Sequence, residues 1–294
     1  MDPYKDMKEG EKGAWLSIGV YILLSAVKLG FGYFLHSAAL LADGINNTTD
    51  IIASIAILIG LRISQKPPDD DHPYGHFRAE TVASLIASFI MAAVGLQVLL
   101  QTVQSLFQGR ESTPDIATAW IAVGCAGAMG MVYIFNLRLA KRVKSMALMA
   151  AAADNRSDAL VSIGAAIGIF GAQFGMPWLD PVAALAVGCV ICRTAWQIFR
   201  EATHALTDGF DQSRLRGLQD TVRKTRGVKQ IRDIKARVYG SRVIVDLIVV
   251  VDGKLSLVES HQISDEIEQQ MVKKHNIMNV HVHVEPDTIA QKKA

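Results

Sequence analysis

The chain has little of what would place it among soluble enzymes or nucleic-acid binders. Its formal net charge is only +2 over 294 residues, so a basic surface for nucleic acid gets no support. There are three cysteines, Cys125, Cys189 and Cys192, all inside apolar stretches, and no disulfide framework is indicated. Cys189 and Cys192 have C-x-x-C spacing, but in such surroundings they read as small apolar residues on one helix face. No H-E-x-x-H sequence occurs, which removes a common signature of a metal-dependent hydrolase. The chain is read as a non-enzyme with no catalytic cofactor. Residues Met1 to Lys12 are too polar and too acidic for a cleaved signal peptide, so the first apolar segment is expected to remain as a membrane span.

What is there is hydrophobic length. Half of the residues are hydrophobic, and the mean hydropathy is +0.25. That average joins two regions, an apolar one up to about Leu206 and a charged one from about Asp208. A membrane-spanning helix needs ~20 mostly apolar residues. Six segments qualify: Ala14–Leu35, Ala38–Ile63, Thr81–Phe107, Ile116–Leu139, Met146–Phe174 and Trp178–Leu206. The expected division is a six-helix transmembrane domain over 1–207 and a cytoplasmic domain over 208–294.

Orientation follows from the basic residues in the connections. One side holds Lys5, Lys8 and Lys12, then Arg62, Lys66 and Arg78, then Arg138, Lys141, Arg142 and Lys144. The other holds the turns near His36, Arg110–Pro114 and Gly175–Pro177, where only Arg110 is positive. Both termini and the charged tail are therefore expected in the cytoplasm. The tail itself reads as helix, strand, strand, helix, strand. Ser256 is a candidate N-cap with Glu259 at the capping-box position. Met278–Val284 alternates valines with His281, His283 and Glu285, giving a small α/β sandwich.

Two of the apolar segments carry polar pairs. Asp43 and Asn47 lie in Leu41-Ala-Asp-Gly-Ile-Asn-Asn-Thr-Thr-Asp50, and Asp154 and Asp158 in Ala151-Ala-Ala-Asp-Asn-Arg-Ser-Asp158. Each pair has i, i+4 spacing, so its side chains share a helix face. A charged side chain near the centre of a membrane helix costs at least ~2.5 kcal/mol, which makes the two matched pairs read as halves of one cation site. Asp50 shares that face but is read as lining the cytoplasmic entry or pairing with Arg78 or Lys28 rather than as a ligand. Carboxylate and amide oxygens are hard ligands that suit Mn²⁺ first and Fe²⁺ next, whereas zinc takes nitrogen or sulfur. Crowded carboxylates in a low dielectric cannot all stay ionised without a cation. A site that holds either the metal or protons is the physical basis of metal/proton antiport. The competing reading, acids paired with Arg156 or Lys28 to hold the bundle, is weakened by Arg156 standing two residues from each aspartate, off their face.

These motifs, with Ser37-Ala-Ala-Leu-Leu-Ala-Asp43 and His72-Pro-Tyr-Gly-His76-Phe-Arg-Ala-Glu80, resemble the cation diffusion facilitator family over nearly the whole chain. The resemblance implies six transmembrane helices with a metallochaperone-like αββαβ cytoplasmic domain. It also implies a homodimer in the lipid bilayer that exchanges divalent metal for protons. Zinc-transporting members carry Asp-x3-Asp and His-x3-Asp in the two site helices. Asn47 and Asp154 depart from that pattern and resemble the manganese-exporting branch. The loop Asp69-Asp-Asp-His72-Pro-Tyr-Gly-His76 resembles a second metal site, with Asp69, His72 and His76 as ligands. His261, His283 and Glu285 match a cytoplasmic binuclear site, but Arg232 and Ile248 stand where two strand histidines belong, which leaves room for one site with His281 as a further donor. Arg78 and Asp208 fall where the family has a charge interlock.

The leading reading is export of Mn²⁺ from the cytoplasm by proton antiport, with Fe²⁺, Zn²⁺ or Co²⁺ as alternative cargo. A membrane metalloenzyme would need an open coordination position and a general base, and a cation channel would need a pore-lining filter. Neither is written in the chain.

Overall fold

The computed structural model describes residues 3–34, 38–108, 116–176, 178–275 and 277–287, with some side chains inside the helices, Asp43 and Asn46 among them, outside the description. The turns around His36 and Arg110–Pro114 lie outside the described residues. The chain divides into two compact units at residues 202/203.

The first unit is built of long helices: α1 Pro3–Phe34, α2 Ala38–Ser64, α3 Arg78–Gln108, α4 Ile116–Val143, α5 Met146–Gln173 and α6 Leu179–Leu206. Except at the start of α1, the bounds fall close to those of the apolar runs. Among the described residues, four of these helices, over Lys8–Phe31, Arg78–Gln104, Ile116–Val143 and Pro181–Leu206, are long and apolar enough to cross a membrane. In α5, Asp154, Arg156 and Asp158 sit within five consecutive residues and interrupt the apolar run.

The start of α1 is a departure from expectation. The helix begins at Pro3, not at Ala14, because the polar residues ahead of the apolar run find partners on neighbouring helices. Glu11 lies 3.5 Å from Arg62 and accepts from Gln65 at 2.6 Å. Glu9 lies 3.5 Å from Arg142. These acids meet basic residues in the last turns of α2 and α4, where positive charge also suits the helix dipole.

Packing inside the bundle is made by small residues. Ala14, Ala83, Ala87, Ala147, Ala150 and Ala151 are buried in one cluster with Ile57, Leu61 and Leu148. Small side chains let helix backbones approach closely, which suits a setting where lipid competes equally well for apolar groups. Gly60 is the sharpest case. A Cβ there would sit 2.2 Å from the Ala83 Cβ and 3.1 Å from the Ala79 carbonyl oxygen of α3. Gly60→Val is expected to push α2 off α3 and destabilise the bundle by about 1–3 kcal/mol, the usual cost of overpacking. A melting temperature in detergent equal to that of the unaltered protein would refute this.

The second unit is a three-stranded sheet with two helices. After α7 (Gln212–Arg223) come β1 (Gln230–Tyr239), β2 (Arg242–Val251), α8 (Leu257–His275) and β3 (Asn279–Pro286). The order is β1-β2-β3, antiparallel for β1/β2 and parallel for β2/β3. The hairpin turns at Gly240, whose φ of 62° suits glycine. The crossover to the parallel strand is carried by α8, as a parallel pair requires. Leu218, Val222, Val245, Leu247, Ile267 and Met271 form its core. The expected capping box is present: Glu259 accepts from the Ser256 backbone N–H at 2.8 Å, and Ser256 Oγ accepts from the Glu259 N–H at 3.3 Å.

Candidate metal centre

Helices α2 and α5 bring three carboxylates together. Single oxygens of Asp50, Asp154 and Asp158 all lie within 4.8 Å of one another. Asp50 is 2% exposed and Asp158 8% exposed. The spacing that places Asp154 and Asp158 on one face of α5 is the i, i+4 register read in the sequence. On α2, the described carboxylate that joins them is Asp50, three residues beyond Asn47 or ~4.5 Å farther along the axis. The sequence reading leaves Asp50 out of the ligands, at the cytoplasmic entry or paired with Arg78 or Lys28. Asn47 is buried with its amide oxygen 3.5 Å from Lys28 Nζ. Asp43 is in α2, but its side chain lies outside the described residues.

Of the basic side chains weighed as partners of the acids, Arg156 donates to Thr194 Oγ1 of α6 at 2.7 Å, and Lys28 Nζ lies 3.5 Å from the Asn47 amide oxygen. Helix α1 also supplies a neutral donor that the sequence reading did not identify. The hydroxyl of Tyr21 donates to Asp158 and lies 3.1 Å from Asp154 Oδ2. Tyr21 stands among apolar residues of α1 with no sequence motif around it, so no sequence signal pointed to it.

The loop before α3 gathers Asp69, His72 and His76, again with ligand atoms within 4.8 Å of one another. Asp69 accepts from the His72 backbone N–H at 2.7 Å, and its two oxygens lie 3.2 Å from His72 Nδ1 and 3.5 Å from His76 Nε2. The backbone N–H of His72, with further help from the two imidazoles, holds the Asp69 carboxyl below the usual carboxylate range. A carboxylate between two imidazoles is sound ligand chemistry for a borderline divalent ion.

The tail residues do not gather in this way. Among the described residues, His261, His283 and Glu285 do not converge on one point with a third ligand. Glu285 is ion-paired with Arg232, the residue standing in place of an expected strand histidine. His261 lies 3.6 Å from Asp265, and His283 3.9 Å from Glu285. His281 is exposed on the same face of β3. Arg78 opens α3 in the first unit, and Asp208 follows α6 in the second with a left-handed φ of 60°.

Comparison with known proteins places the chain in a family. The family description "Cation efflux transmembrane domain" matches residues 14–207, and "Cation efflux protein, cytoplasmic domain" matches residues 195–287. The manganese efflux system protein MneS of Bacillus subtilis (strain 168) is 58% identical over 286 residues, covering 97% of this chain and 99% of that protein. The uncharacterized transporter YdbO of the same organism is 51% identical over 98% of this chain and 100% of its own length. The manganese efflux system protein MneP, also from that organism, is 28% identical over 94% of this chain and 95% of its own. The two family descriptions together span residues 14–287, and the chain belongs to the cation efflux (cation diffusion facilitator) family.

Proposed function

We propose that this protein exports divalent metal, Mn²⁺ above all, from the cytoplasm in exchange for protons. The observation that carries the reading is the convergence of Asp50, Asp154 and Asp158 from two helices of an apolar bundle. Three carboxylates form a hard, oxygen-only site that suits Mn²⁺ better than Zn²⁺. The likeness to MneS adds to this, since that protein is named for manganese efflux. Fe²⁺ and Co²⁺ are the nearest competitors on ligand chemistry. With the cation gone, protons balance the crowded carboxylates, which couples the two fluxes.

All six helices of the first unit cross the membrane in this reading. Helices α2 and α5, of 27 and 28 residues, span ~40 Å at 1.5 Å per residue and turn their acids inward. The basic connections keep both termini in the cytoplasm. The protein works as a homodimer in the bilayer, with Arg78 and Asp208 as its charge interlock; both rest on the family resemblance. Asp69, His72 and His76 form a second, loop-borne metal site.

Asn47, taken from the sequence with Asp43, is the amide ligand on α2 in this reading. Asn47→Ala is expected to raise the KM for Mn²⁺ by about tenfold. An unchanged KM in a ⁵⁴Mn uptake assay would remove Asn47 from the site.

The function itself is tested in proteoliposomes under an imposed pH gradient. Mn²⁺ uptake accompanied by proton efflux, and absent in Asp158→Ala, is the expected result. Mn²⁺ flux with no proton counterflow would refute antiport.

A further inference from the structure

The buried polar groups around the carboxylate cluster form a connected set. Tyr21 has no exposed surface, and its ring packs with Leu24, Met129 and Ala159. Its hydroxyl reaches both members of the α5 pair, donating to Asp158 and lying 3.1 Å from Asp154 Oδ2. The phenol oxygen is itself approached by Asn155 Nδ2 at 3.4 Å. Asn155 is held in turn: its Oδ1 accepts from Ser17 Oγ at 3.0 Å and from Asn136 Nδ2 at 3.0 Å. Ser17 Oγ also accepts from Asn136 Nδ2 at 2.8 Å. Ser17, Asn136 and Asn155 are all buried.

We propose that Tyr21 of α1 is a positioning residue of the metal site, whose hydroxyl holds the carboxylates of Asp154 and Asp158 in the arrangement that receives the cation. This rests on the reading of the cluster as the transport site. A buried tyrosine hydroxyl usually finds a partner, and a single carbonyl would have been enough. Here it bridges the two carboxylates of one i, i+4 pair. A phenol has a single donor hydrogen, which lies between Oδ2 of Asp158 and Oδ2 of Asp154 and draws the two carboxylates toward one point. It is also neutral. A lysine at the same point would fix the acids but repel the incoming cation, whereas a hydroxyl orients them without opposing its charge. The Asn155, Ser17 and Asn136 side chains hold the phenol through bonds that connect α1, α4 and α5, and such supporting shells act on affinity through the ligands they orient.

The test uses the full chain in detergent and in proteoliposomes. Tyr21→Phe removes the hydroxyl and keeps the packed ring. Mn²⁺ binding, read from loss of the free-ion electron paramagnetic resonance signal, is expected to weaken about 10–100-fold. The transport KM should rise with it, while the maximal rate stays within about threefold. Asp158→Ala is run beside it as the test of the site. Unchanged Mn²⁺ affinity in Tyr21→Phe, with transport lost in Asp158→Ala, overturns the role of Tyr21 and leaves the site standing. Full transport in Asp158→Ala overturns the site and this role with it. Should Tyr21→Phe fail to assemble, infrared difference spectra of the unaltered protein decide. A tyrosine C–O stretch that shifts on adding Mn²⁺ supports the role, and no shift overturns it.

Discussion

Asp50→Ala is expected to abolish Mn²⁺ export, raising KM by at least about two orders of magnitude. Asp50 is nearly fully buried and contributes an oxygen to the same point as Asp154 and Asp158. One unit charge pair at 4 Å is worth ~4 kcal/mol at an effective dielectric of 20, and a divalent ion feels more than that. Removing one of three carboxylates therefore costs far more than removing a surface charge. The prediction also separates transport from architecture. If the acids served to hold the helices together, deleting one would lower the melting temperature of the metal-free protein, because a buried partner would lose its counter-charge. If they serve to hold a cation, protons balance them in the metal-free protein, and losing one changes its melting temperature little. A sharply lowered melting temperature together with an unchanged KM would return Asp50 to a structural role.

Asp154→His is expected to move preference from Mn²⁺ toward Zn²⁺, with the ratio of their apparent affinities changing by on the order of a hundredfold. The three clustered ligands are all carboxylates, and imidazole nitrogen is the donor that zinc favours over manganese. The substitution keeps a ligand at the same place on α5 and changes its softness. It also removes the Asp154 carboxylate beside the Tyr21 hydroxyl, so part of the loss for Mn²⁺ comes from looser positioning. Competition of Zn²⁺ against ⁵⁴Mn uptake measures the change. An unaltered ratio would show that selectivity is set by site shape or by access, and not by the donor at position 154.

Much of the fold could be read because its signals are local. Helix ends in the first unit follow the limits of apolar runs, and the capping box at Ser256 and the turn at Gly240 depend on residues only a few positions apart. That Asp69, His72 and His76 lie together was legible for the same reason, since they fall within eight consecutive positions. The start of α1 was not legible, because the polarity of its first residues is balanced by Arg62 and Arg142, which are remote in sequence.

The sequence by itself determined the class of the protein, its apolar helices, its αββαβ tail and the hard-oxygen character of the polar pairs in α2 and α5. Composition and period act through the nearest turn or two of chain, and they need no knowledge of neighbours. Tertiary structure alone decided that Asp50 of α2 joins Asp154 and Asp158, and that Tyr21 of α1 closes on them. Helical period puts Asp50 on one stripe of α2 with Asp43 and Asn47 but says nothing of what stands opposite that stripe. What stands opposite depends on how the helices pack, through contacts such as Gly60 of α2 against Ala83 of α3, where the absence of a single Cβ lets two backbones meet.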